Sequence, residues 1–192
     1  MPMTARTHIR IGTTATAATF LLTEMNITNF PVPMESKAFL VAILGSAIGS
    51  IIMDNDAKGT LISNFMPISN KIITWLAKKN FVAFYHRHLL HSLLFLPLLT
   101  ILGCVFLKDS PLWYSFFFGC TIGLIGHALA DAFLSNTWIL YPICRKPFSV
   151  LKMTQADNPK KYKKVEKWTR AFFTLVFVGL IGFYVYSGYF NL

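Results

Sequence analysis

Four long apolar stretches, nearly free of charge, constrain this chain more than anything else in it: Lys37 to Met53, Leu89 to Leu107, Leu112 to Phe133 and Ala171 to Phe190. Each approaches the roughly 20 apolar residues that a helix needs to cross about 30 Å of hydrocarbon. A soluble core rarely needs four of them. The hydrophobic fraction of 54% stands above the roughly 45–50% usual in soluble domains, and mean hydropathy is +0.52. The shortest stretch, ending at Met53, needs flanking polar residues to snorkel or a locally thinned bilayer.

A weaker apolar run, Ile11 to Leu22, carries four threonines, which a helix tolerates because the hydroxyl returns to the preceding turn. A signal peptide is the rival reading, since Arg6 and Arg10 precede the run. It ranks lower because Thr23 to Phe30 offers no clear small-x-small cleavage site. Five crossings follow: His8 to Met25, Lys37 to Met53, Leu89 to Leu107, Leu112 to Leu134 and Ala171 to Phe190. They make one domain over residues 1–192, an all-α polytopic membrane bundle of about five transmembrane helices. Between the second and third crossings, apolar residues from Leu61 to Leu76 alternate with Ser, Asn and Lys. That pattern predicts an amphipathic interfacial helix, broken near Pro67.

Net charge of +10 would suggest nucleic acid in a soluble protein. Here its distribution argues otherwise. With five crossings, only Lys37 and Lys108 of the 18 Lys and Arg fall on one side. The other side is then cytoplasmic by the positive-inside rule, with the amino terminus inside and the carboxyl terminus outside. The run from Lys160 to Arg170 reads as an anchor for anionic headgroups, and no nucleic-acid partner is expected. Cys104, Cys120 and Cys144 are widely spaced and read as packing residues.

Five histidines and eight acidic residues are few enough for their placement to matter. On this topology His8 opens the first helix, and Asp54 and Asp56 follow the second. His86, His88 and His91 open the third, while His127 and Asp131 close the fourth. All gather at one face of the bilayer, where unpaired charge costs on the order of 3 kcal/mol or more. His127 and Asp131 stand four apart on one helix face, a spacing that suits two ligands of one ion or a ligand and its orienter. By itself Asp54-Asn55-Asp56 is better explained by a helix-ending turn, and the rival reading of the His86 to His91 run is rings snorkelling at an interface. Together, nitrogen and oxygen ligands of this mix suit zinc, manganese or iron, as one or two divalent ions.

The chain resembles a family of bacterial inner-membrane metal-dependent hydrolases of the LexA-regulated type. Its members share a Thr-His pair, a Pro-Asp-x-Asp turn, a His-Arg-Gly-x-Thr-His-Ser element and a Gly-x-x-x-His-x-x-x-Asp helix. Thr7-His8, Met53 to Asp56, His86 to Ser92 and Gly123 to Asp131 fill those places in order, and the likeness runs from Thr7 to about Pro147. Met53 replaces the proline, Ala57 stands where many relatives carry a histidine, and His88 and Leu90 replace a glycine and a threonine. The order is also distantly similar to zinc phospholipase C and S1/P1 nuclease, which implies a phosphoester substrate.

The expected function is a membrane-bound metal-dependent hydrolase, acting on a phosphoester such as a lipid headgroup at the cytoplasmic face of the inner membrane. Metal ligands are expected at His8, Asp54, His86, His88, His91, His127 and Asp131. Asp56 is the expected general base or orienting carboxylate, and Arg87 the phosphate partner through its planar fork. The rival is a metal-binding or transport protein without hydrolytic activity. It predicts ionisable residues throughout the bilayer depth, which four of the five helices lack at their centres. A purely structural polar cluster that fixes helix packing is a third reading.

Overall fold

The computed structural model describes residues 4–25, 27, 35–57, 60–79, 81, 89–134, 137–151 and 158–187. Seven helices are described: α1 (Ala5–Glu24), α2 (Ser36–Ile52), α3 (Leu61–Phe65), α4 (Pro67–Lys78), α5 (Leu96–Phe106), α6 (Pro111–Leu134) and α7 (Pro159–Tyr186). A 3-10 turn, Met53–Asp56, extends α2. Among the described residues the extended pairing is one isolated bridge between Thr137 and Phe148.

Close backbone contact sets the centre of the bundle. A Cβ added at Gly49 on α2 would lie 2.3 Å from the Cys120 carbonyl oxygen, and one added at Gly123 on α6 would lie 2.2 Å from that of Ser46. Gly45 and Gly119 repeat the contact one turn earlier. Both helices therefore carry the Gly-x-x-x-Gly spacing that lets membrane helices approach backbone to backbone. α1 joins them through Gly12, where a Cβ would meet the Ser50 hydroxyl at 2.1 Å.

Each of these three helices shows the others a buried stripe of small residues at four-residue spacing, and each stripe ends in a site residue. On α2 it runs Ala42, Ser46, Ser50 and then Asp54. On α6 it runs Gly119, Gly123 and then His127 and Asp131. On α1 it runs backwards through Thr16 and Gly12 to His8. Packing that closes the bundle thus brings the site side chains to one end.

Three described helical stretches are long and apolar enough to cross a membrane: Ser36–Asp56, Pro111–Leu134 and Pro159–Tyr186. They correspond to the second, fourth and fifth of the expected crossings, so the all-helical membrane architecture holds while the count of five is not reached among the described residues. Where the third crossing was expected stands α5, with 11 residues, about 16 Å at 1.5 Å per residue. Leu89 to Phe95 is turns, held to the 139–141 segment by Leu93 N–H donating to the Ile139 carbonyl at 2.9 Å and the Ser92 hydroxyl donating to the Tyr141 carbonyl at 2.5 Å. α1 has the length, at 20 residues, but its six threonines and two arginines keep it below the apolarity of the other three. α7 begins at Pro159, earlier than expected, because the Asn158 side chain caps it by accepting from Lys161 N–H at 3.1 Å. The basic run is therefore helical. The interfacial segment is helical and breaks at Met66, as Pro67 predicts.

Candidate metal centre

His8, Asp54, His91, His127 and Asp131 come from four separate parts of the chain and meet in one buried cluster. Their side chains are 0–4% exposed. His91 Nε2 lies 3.7 Å from Asp54 Oδ1 and 3.6 Å from Asp131 Oδ2. His127 Nε2 lies 3.7 Å from each of the same two oxygens. These separations exceed a good hydrogen bond. They are instead four edges of a polyhedron: a tetrahedron with such edges has its centre about 2.2 Å from each corner, the reach of zinc to nitrogen and oxygen ligands.

His8 stands on the other side of Asp131, with Nε2 3.5 Å from Oδ1, and its ring stacks on His127 at 3.7 Å between centroids. Asp131 thus turns one oxygen to His8 and the other to His91 and His127. His8, His127 and Asp131 form one group whose ligand atoms lie within 4.8 Å of one another; Asp54, His91 and His127 form a second. Both could hold an ion. Neither ring nitrogen of His8 has a hydrogen-bond partner in the structure, nor do His127 Nε2 or Asp54 Oδ1. Buried polar atoms without partners cost about 1–3 kcal/mol each, and His127 Nε2 and Asp54 Oδ1 face each other at 3.7 Å, as two ligands of one ion would.

The surrounding groups fix the orientation of the rings. His127 Nδ1 lies 2.6 Å from the Ser50 carbonyl oxygen, which makes Nδ1 the protonated nitrogen and leaves the Nε2 lone pair facing the carboxylates. Asp56 Oδ2 lies 3.5 Å from His91 Nδ1, the position of a carboxylate that orients a ligating imidazole.

Six of the nine site residues expected from sequence are in the pocket. His86, Arg87 and His88 lie outside the described residues. Sequence reasoning missed two participants. The Ser50 carbonyl that sets the His127 tautomer is a backbone group and leaves no mark in the residue order. Glu166, on α7, accepts from Thr4 N–H at 2.8 Å, from the Thr4 hydroxyl at 2.5 Å and from the Thr7 hydroxyl at 3.0 Å. It caps the start of α1 beside His8, and its place inside a basic run disguised it.

A protein-family model described as YdjM inner membrane protein matches residues 3–191. No curated protein and no solved structure matches the chain.

Proposed function

The chain belongs to the YdjM inner membrane protein family, and from that premise we propose that it is a membrane-bound metal-dependent hydrolase acting on a phosphoester, in the first instance a lipid headgroup. The observation that supports this most is the set of 3.6–3.7 Å spacings among the buried side chains of His91, His127, Asp54 and Asp131. Those four side chains and His8 would hold one or two divalent ions, zinc before manganese or iron. When bound, such an ion supplies Lewis acidity, easing loss of a proton from water to a pKa of about 7 and offsetting charge on a phosphoryl oxygen.

The chain's own residues supply orientation. Ser50 holds His127 in the tautomer that presents Nε2. Asp56, against His91 Nδ1, steadies that ring from behind, the place of an orienting carboxylate. Arg87, next to His86 and His88, is proposed to pair with the phosphate, with both histidines as further ligands. The positive-inside distribution supports five crossings with a cytoplasmic amino terminus, α1 and α5 being the two less apolar or shorter members.

The test is metal content. Purified wild-type protein is expected to carry stoichiometric metal, Asp131→Ala and His91→Ala to lose it, and hydrolysis of a lipid phosphoester to fall with it. Hydrolysis unaffected by both changes rejects the mechanism. The rival, a metal-binding or transport protein, is tested in the same preparation by metal flux into proteoliposomes without hydrolysis.

A further inference from the structure

We propose that α3 and α4 form a strut, seated in the headgroup layer of the bilayer that the protein spans, which sets the position of the acidic turn Met53–Asp56 and so of the carboxylates in the pocket. The proposal rests on the metal-centre reading only for one of its three readouts.

Two opposite faces carry it. Leu61, Phe65, Ile68, Ile72 and Trp75 follow one another at spacings of four, three, four and three, a single helical stripe continued across the break at Met66. All five are exposed, from 46% for Leu61 to 77% for Phe65. Exposed apolar surface of this extent on a water-facing helix is unusual. These helices leave a membrane span by way of one turn, so the stripe sits at the depth where an amphipathic helix lies in the interface. From Leu61 to Lys79 there is no acidic residue, while Lys71, Lys78 and Lys79 are exposed, which suits a leaflet carrying anionic headgroups.

Asn70 points the other way, half a helical turn from the stripe, and is buried. Its amide donates to the Asn55 carbonyl. The Asn55 amide donates to the Ser69 hydroxyl at 2.6 Å, and the Thr60 hydroxyl donates to the Asp54 carbonyl at 2.9 Å. Asn55 is flanked by Asp54 and Asp56, which face His91. Three hydrogen bonds therefore fasten the outside of the turn to α3 and α4 while its two carboxylates face inward. Any shift of the strut is passed to both acidic side chains.

The experiment uses the full-length protein in bilayer nanodiscs of one composition containing anionic lipid, with brominated lipids as quenchers. The Trp75 contribution is the difference between wild type and Trp75→Phe, and shallow bromines are expected to quench it most. Amide exchange of residues 53–57 and zinc affinity by chelator competition are then compared among wild type, Ile68→Asp/Ile72→Asp, Asn70→Leu and Asn70→Ser. We expect roughly tenfold faster exchange and roughly tenfold weaker zinc binding in the first two variants. Asn70→Ser, which keeps a donor, is expected to recover part of both. Unquenched Trp75, or exchange at wild-type rate in both disruptive variants, overturns the strut. A wild type that takes up no zinc overturns the metal-centre reading alone, and the quenching and exchange arms still decide the strut.

Discussion

α6 and α7 are alike to a hydropathy plot and opposite in the fold. Both are long and apolar enough to span a membrane, yet 56% of the apolar window of α6 is buried inside the protein against 6% for α7. The difference lies in the small residues. Gly119 and Gly123 of α6 touch the backbone of α2, whereas Gly179 and Gly182 of α7 have nothing within 4 Å of where a Cβ would stand. In lipid no hydrophobic force drives helices together, so close van der Waals packing decides which helix is inner and which is outer. The inner helix then carries His127 and Asp131, because its face toward α1 and α2 can bury a histidine and a carboxylate among partners.

The hardest blow to this contrast is Gly123→Leu. Its Cβ would fall 2.2 Å from the Ser46 carbonyl oxygen and 2.9 Å from the Ser50 amide nitrogen, both backbone atoms. Overpacking costs about 1–3 kcal/mol where side chains can yield, and more where they cannot. We expect loss of about 3 kcal/mol or more, seen as a collapse of the thermal unfolding transition in detergent. Near-wild-type stability would mean that α2 and α6 do not meet as described. Next comes Asp131→Ala, also on α6, which removes the carboxylate facing His8, His91 and His127 together. Bound metal should disappear, together with any drop in melting temperature on adding a chelator. Trp168→Ala on α7 should leave both unchanged.

The same contrast explains how much of the molecule was legible in its sequence. α2 and α6 were found nearly to the residue, because apolar length alone marks a candidate span, although it does not tell an inner helix from an outer one. So was the gathering of His8, Asp54, His91, His127 and Asp131, because each lies at or near the end of an apolar stretch. The third crossing was overextended. Leu89 to Phe95 is as apolar as α5 but is held in turns by the 139–141 segment, a tertiary contact that leaves no periodic trace. Glu166 was missed for the same reason. Nothing near it in sequence indicates that its partners are Thr4 and Thr7, about 160 positions away.

Glu166 is also the exception that sharpens the comparison, since it ties the outer helix to the start of α1. Glu166→Ala should cost about 1 kcal/mol, the usual worth of a helix amino-terminal cap. Amide exchange should speed up in the first turn of α1 while α2 and α6 keep their protection. No change there would mean that α7 lends the site nothing.

The smallest effect is expected from Gly182→Leu. On α7 the new side chain enters open space, and replacing glycine by leucine inside a helix is favourable by up to about 1 kcal/mol through backbone entropy. Its neighbour Ile181 packs toward Phe20 and Phe39, so position 182 lies on the side turned from the bundle, where lipid chains adapt to either residue. Thermal unfolding in detergent should therefore stay within about 0.5 kcal/mol of wild type or rise slightly. A loss comparable to that of Gly123→Leu would break the division into inner and outer helices. Open space beside Gly182 would then be occupied in the membrane by something rigid, and α7 would be an interface.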